Sequence, residues 1–169
     1  RKAGTIGHIG TTSFFPSKNL GAFGDGGALF TGDDSFGRDL RSLVNHGMSQ
    51  ERYYYDQVGV NSRLDTLQAA ILRIKLGHLD SYRSARQEVA AYYDRELGSI
   101  EGLEIPKRST FSTHVFHQYT LKVSADKRDG LKQWLTEKQI PSAVYYPVPL
   151  HLQNAYRDLG YDSGDLPVS

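Results

Sequence analysis

The chain has 169 residues and a formal charge of +1, from 20 Lys and Arg against 19 Asp and Glu, so no global field draws it to nucleic acid or to an anionic membrane. Its 38% hydrophobic and 23% charged content is the balance of a globular protein, and with no cysteine it has neither a disulfide framework nor a thiolate metal site. No apolar run approaches the ~20 residues of a membrane helix, and these features together read as a soluble, cytoplasmic protein with no membrane or nucleic-acid partner.

The first residues, Arg1-Lys2-Ala3-Gly4, carry no methionine, and Asp165-Leu166-Pro167-Val168-Ser169 brings no closing element, so the sequence reads as a piece of a longer protein. Residues 9–15, Ile-Gly-Thr-Thr-Ser-Phe-Phe, are β-branched and aromatic and stop at Pro16, which predicts a strand running into a loop with Lys18 just beyond it. The glycine-rich stretch 21–27 is predicted irregular, and Ala28-Leu29-Phe30-Thr31 a second short strand. Asp33 and Asp34 offer an N-cap to a helix whose Phe36, Leu40, Leu43 and Val44 recur at helical spacing until Gly47.

Residues 53–63 show no period and are expected to form a loop. From Leu64 to Leu97 an apolar stripe at helical spacing predicts a helix ~50 Å long at ~1.5 Å per residue, a bridge between two domains, with a kink expected at Gly77. After Pro106 the pattern turns to α+β, with strands expected over 114–123 and 142–146 around a helix over 126–139. The expected organisation is residues 1–63 as part of a large domain, 64–100 as the bridging helix and 101–169 as a small, incomplete domain.

Lys18 lies in a glycine-rich turn between two strands, a setting that holds an amine rigidly and lets it condense with an aldehyde when deprotonated. Ser13, Ser17 and nearby backbone N–H groups are suited to a phosphate, since small residues allow close approach. An anonymous loop lysine is more often a solvated one. The glycines at 21, 24, 26 and 27 do not spell the Gly-x-Gly-x-x-Gly of a dinucleotide fold. His151 has no partners at metal-ligand spacing, so no metal site is expected.

Ser13-Phe14-Phe15-Pro16-Ser17-Lys18-Asn19-Leu20-Gly21 with Gly24-Asp25-Gly26-Gly27 closely resembles the lysine motif of the DegT/DnrJ/EryC1/StrS family of pyridoxal-phosphate-dependent sugar aminotransferases. Residues 59–70, Gly-Val-Asn-Ser-Arg-Leu-Asp-Thr-Leu-Gln-Ala-Ala, resemble its second signature, and residues 145–151, Tyr-Tyr-Pro-Val-Pro-Leu-His, its C-terminal one. The resemblance implies an α/β chain: part of the large domain of the aspartate-aminotransferase-like fold (fold type I) plus most of a small α+β C-terminal domain.

It also implies roles. Lys18 matches the lysine that holds pyridoxal 5'-phosphate as a Schiff base and shuttles the proton, and Ser13 a hydroxyl on the cofactor phosphate. Asn61 matches an asparagine that reaches the phosphate from the other subunit of a homodimer with shared active sites, Arg63 a neighbour facing the nucleotide-sugar, and Tyr145 and Tyr146 substrate-contacting positions. Ordinary readings stand beside these: Ser13 satisfying a strand end, Asn61 in a left-handed turn, Arg63 solvated, the tyrosines at a core edge.

In the family, the aspartate on the pyridine nitrogen and the aromatic stacked on the ring lie before the position of Arg1, so these residues alone are expected to be inactive. The implied reaction transfers an amino group, expected from glutamate, to a keto-sugar on a nucleotide carrier, in aminosugar or cell-surface polysaccharide biosynthesis. Two alternatives remain: a non-catalytic or regulatory relative, and a sugar dehydratase of the same fold, which uses histidine where this chain has Lys18.

Overall fold

The computed structural model describes residues 1–167, which divide into two compact units. One comprises Arg1–Ile100 with Ile105–Leu121, the other Glu101–Glu104 with the chain from Lys122 onward.

In the first unit, β1 (Gly10–Ser13) pairs antiparallel with β2 (Gly27–Phe30), Ser13 lying opposite Gly27. Both strands fall close to where the sequence predicts them: β1 is shorter than the expected 9–15, and β2 has the expected length but begins one residue earlier, at Gly27. Helix α1 (Asp34–Leu43) starts at Asp33, whose carboxylate accepts from the N–H groups of Ser35 and Phe36 at 2.7 and 3.3 Å. The Ser35 hydroxyl and these two amides hold the Asp33 carboxyl below the usual range, as an N-cap should. The predicted run from Leu64 to Leu97 is two helices, α2 (Thr66–Leu76) and α3 (Leu79–Leu97), parted at Gly77 and His78. Glycine is a poor helix former, and the Ser81 hydroxyl donates to the His78 carbonyl at 2.7 Å where α3 begins.

The strand expected over 114–123 is not formed as such: residues 114–121 hold no ladder, and only Lys122–Val123 is strand. Phe116 has φ 46°, which turns the chain out of the extended region, and the carbonyls that a ladder would use are taken by side chains instead. Ala22, Leu72, Ala90 and Phe116 are buried, all in this unit, while large apolar side chains such as Val58, Leu67 and Ile74 stand 95%, 78% and 69% exposed.

In the second unit, β3 (Leu103–Glu104) pairs antiparallel with β4 (Lys122–Val123). Helix α4 (Ala125–Glu137) covers most of the predicted helix and ends at Lys138, followed by Gln139 at φ 59°. The strand expected over 142–146 is absent; the segment lies between Pro141 and Pro147, and proline can donate no ladder hydrogen bond. Two 3-10 turns, Leu150–Leu152 and Asn154–Leu159, follow.

Candidate active site around Lys18

The end of β1 turns sharply into the lysine loop. Lys18 N–H donates to the Phe15 carbonyl at 2.8 Å, closing a turn over Pro16 and Ser17. Phe14 bonds both arms of the glycine-rich stretch: its N–H donates to Gly26 O at 2.7 Å and its carbonyl accepts from Ala22 N–H at 2.7 Å. Gly21 packs against that turn so closely that a Cβ there would lie 2.4 Å from Pro16 O and 2.8 Å from its carbon. Only glycine allows the two arms to touch.

Helix α2 holds the loop from outside. Gln68 Oε1 accepts from Phe23 N–H at 2.8 Å, and Lys75 Nζ donates to the Gly21 carbonyl. Lys18 is half-buried, and among the described residues none of the ion pairs includes it. Its polar neighbour is a residue the sequence pattern had placed in a strand: Nζ lies 3.5 Å from His117 Nε2.

His117 reaches the loop because its own segment is bound to it. Asn19 Nδ2 donates to Val115 O at 2.9 Å, and Arg86 of α3 donates to Phe116 O at 3.1 Å. Burial, then the positive charges of Lys18 and Arg86, push the His117 imidazole below its ordinary proton affinity. His117 Nδ1 and Asn19 Oδ1 are buried without a partner among the described residues. A second cluster fixes the far end of the segment. The Tyr119 hydroxyl donates to Asp94 Oδ1 at 2.7 Å, Arg108 Nε donates to Asp94 Oδ2 at 2.8 Å, and the Arg108 guanidinium lies 4.1 Å from the centre of the Phe116 ring.

Of the other predicted site residues, Ser13 is exposed and its Oγ accepts from Phe15 N–H at 3.2 Å, a strand-end bond that leaves the hydroxyl hydrogen free to donate. Asn61 lies on a stretch laid along the C-terminal end of α1: Val60 N–H donates to Leu43 O at 2.8 Å, Ser62 N–H to Val44 O at 2.9 Å, and Asn61 bridges Asn45. Its φ is not in the left-handed region. Asn61 Oδ1 accepts from Arg63 Nε at 3.2 Å, so the structure brings these two together, both exposed. Tyr145 and Tyr146, in the second unit, are 56% and 79% exposed, ring edge against ring face with centroids 5.3 Å apart. Among the described residues no group of His, Cys, Asp or Glu is placed to hold a metal ion, and no helix is long and apolar enough to cross a membrane.

Sequence reasoning assigned no site role to His117, Asn19 or Arg86, although Asn19 lies within the lysine motif. The residue types over 114–123 suggested a strand, and only the backbone turn at Phe116 reveals that the segment docks on the lysine loop instead.

The chain is 48% identical, over 97% of its length, to a pleiotropic regulatory protein of Geobacillus stearothermophilus, of which it covers 44%. It is 46% identical, over 90% of its length, to a UDP-N-acetyl-3-dehydro-α-D-glucosamine 3-aminotransferase of Acidithiobacillus ferrooxidans, of which it covers 40%. Its fold superimposes with a TM-score of 0.91 and 41% identity on the crystal structure of DesV from S. venezuelae in complex with a ketimine intermediate, over 99% of this chain and 44% of that one. The chain thus spans less than half the length of these relatives. A model of the DegT/DnrJ/EryC1/StrS aminotransferase family matches residues 1–169, and the chain belongs to that family.

Proposed function

We propose that the protein containing this chain is a pyridoxal-phosphate-dependent aminotransferase that transfers an amino group, from glutamate, to the keto group of a nucleotide-linked sugar in aminosugar or cell-surface polysaccharide biosynthesis. The observation that carries this reading is Lys18: an amine half-buried in a closed glycine loop, ion-paired with no carboxylate among the described residues, and so available to a carbonyl. Partly buried lysines at structural positions pair with acids. The relative from Acidithiobacillus ferrooxidans, named for the same class of reaction, supports the substrate class.

The residues present fit the cofactor in kind. Lys18 is placed to hold it covalently, Ser13 has a hydroxyl hydrogen free for a phosphate oxygen, and the amide-rich loop between β1 and β2 suits an anion. When bound, pyridoxal phosphate supplies the electron sink for amino transfer. Lys18 would supply a base: as a free amine, Nζ would shuttle a proton between the substrate carbon and the cofactor. Gln68, accepting from Phe23 N–H, and Lys75, donating to the Gly21 carbonyl, hold the glycine arm against which the lysine turn packs.

We further assign Asn61 and Arg63 to a neighbouring subunit's site in a homodimer, and Tyr145 and Tyr146 to substrate contact. The exposed apolar side chains at Val58, Val60, Leu64 and Leu67, which flank Asn61 and Arg63 in sequence, support an interface there. The reading places the enzyme in the cytoplasm. The test is to incubate the full-length protein with pyridoxal phosphate, glutamate and a UDP-linked 3-keto-sugar and to follow 2-oxoglutarate and the aminosugar by mass spectrometry. The likeness to a pleiotropic regulatory protein favours a second, regulatory reading, which predicts covalent attachment of the cofactor at Lys18 with no turnover.

A further inference from the structure

Four consecutive carbonyls, from His114 to His117, are each held by a side chain from another segment. Gln87 Nε2 donates to His114 O at 2.9 Å, Asn19 Nδ2 to Val115 O at 2.9 Å, and Arg86 Nη1 to Phe116 O at 3.1 Å and His117 O at 3.4 Å. Within the segment, Phe116 adopts φ 46°, with its ring 5% exposed and its N–H donating to His114 Nδ1 at 2.9 Å. A bulky aromatic in the left-handed region is strained, and such strain persists where the surroundings over-determine it. The effect here is to aim the next side chain: His117 Nε2 comes to 3.5 Å from Lys18 Nζ, ninety-nine residues away in sequence.

We propose that His117 is the positioning residue for Lys18, its Nε2 lone pair accepting a hydrogen from Nζ and so fixing the direction of the amine within the loop. The reading of Lys18 as the reactive amine enters only in saying what that direction serves. A histidine kept for structure alone would bond through both ring nitrogens. Here Nδ1 is buried without a partner, and Lys18 is the one side chain bonded to the ring among the described residues. With Nε2 as acceptor, Nδ1 carries the ring hydrogen. The separation is at the outer limit of a hydrogen bond, as polar contacts at sites without substrate often are.

Charge favours the same arrangement. The charged groups acting on the ring are Lys18 from the loop after β1 and Arg86 from α3, both cationic; they add to burial in disfavouring an imidazolium. The other titratable group on the segment, His114, faces the Phe116 ring, with centroids 4.3 Å apart. Thus the ring remains neutral at neutral pH and keeps a lone pair for the amine.

The experiment uses the full-length protein freed of cofactor. Hydrogen–deuterium exchange at the imidazole C2 position, read by mass spectrometry, gives the titration midpoint of His117. That midpoint is expected below the ordinary histidine value and is expected to move up in Lys18→Met; a midpoint that stays put overturns the proposal. In parallel, the rate of covalent attachment of pyridoxal phosphate at Lys18, trapped with borohydride, is expected to fall roughly two- to tenfold in His117→Phe, the size of one neutral hydrogen bond. His117→Gln, which retains an acceptor, is expected to recover most of that loss. Equal rates in wild type and His117→Phe, or no recovery in His117→Gln, also overturn it. If His117→Phe fails to fold, the Lys18→Met titration decides alone. Failure of the aminotransferase reading would show separately, as attachment without amination by the wild type.

Discussion

Tyr119 donates its hydroxyl to Asp94 at 2.7 Å, and through this bond the irregular segment that ends at Leu121 is tied back to α3. Burial, the hydrogen bond to Asp94 and its charge together push the Tyr119 phenol up to about 12. Desolvation works against the Asp94 carboxylate, but Tyr119 and Arg108 outweigh it and hold the group below the usual range. The two partners are thus locked in opposite protonation states, phenol and carboxylate.

Replacing Tyr119 by Phe should lower stability by about 1.5–3 kcal/mol, the usual worth of a hydrogen bond to a charged group. Asp94 retains Arg108, so its charge is not left unpaired. The pH dependence follows from the directions of the shifts. The raised phenol contributes stability in full below pH ~10 and loses it as pH rises toward 12, whereas the depressed carboxylate contributes above its unfolded value and loses stability on further acidification. Urea midpoints of the full-length protein between pH 9 and 12 should fall more steeply in wild type than in Tyr119→Phe. Parallel curves would count against the bond.

Lys18→Ala should abolish covalent attachment of pyridoxal phosphate and reduce amino transfer by about 10²–10⁴-fold, the scale of a lost general base. Cofactor can still bind through its phosphate, so weak absorbance of the free aldehyde is the expected residue. Borohydride reduction followed by peptide mapping checks the position. A pyridoxyl group found on another lysine would refute the assignment.

How far this site was legible in the sequence differs from residue to residue. The short strands around the lysine loop could be read from β-branched runs stopped by Pro16 and by glycine, and α1 from Asp33 and the spacing of Phe36, Leu40 and Leu43. These are local effects, written in neighbouring residues. The break between α2 and α3 was half legible: Gly77 weakens a helix, but whether the chain kinks or restarts depends on how His78 and Ser81 bond. The docking of residues 114–117 was not legible. It depends on Arg86, Gln87 and Asn19 reaching carbonyls between 27 and 96 residues away, and no periodicity encodes such side-chain-to-backbone bonds. The β-branched and aromatic residues over 114–123 therefore suggested a strand, where tertiary hydrogen bonds override it.

Asn61 and Arg63 lie side by side on the stretch that follows α1 and are exposed, which fits service to a second subunit. Mixing Lys18→Ala protein with Asn61→Ala protein should then recover activity that neither variant has alone. A two-fold dimer with random exchange makes half its molecules mixed, each with one site free of both substitutions, so about a quarter of wild-type activity is the expected ceiling. No recovery, with subunit exchange confirmed by native mass spectrometry, would show that Asn61 serves its own subunit.

Gly21 and Gly130 should respond in opposite directions to the same substitution. At Gly21 the site for a Cβ lies 2.4 Å from Pro16 O and 3.0 Å from Phe15 O, both backbone atoms of the turn that presents Lys18. Both are backbone atoms rather than flexible side-chain ends, Phe15 O already accepts from Lys18 N–H, and the Gly21 carbonyl on the opposite arm is held by Lys75. Gly21→Ala must therefore push the glycine arm away from the lysine turn, at a cost of about 1–3 kcal/mol. It should slow cofactor attachment by displacing Nζ from its partner on His117. Gly130 lies within α4, and a Cβ there meets nothing within 4 Å. Gly130→Ala should stabilise by about 0.5–1 kcal/mol, the entropy of a helical glycine, and leave attachment unchanged. Thermal midpoints and borohydride-trapped attachment rates on the full-length protein test both. Wild-type values for Gly21→Ala in the two measurements would mean that the contact between the glycine arm and the turn does not position the lysine.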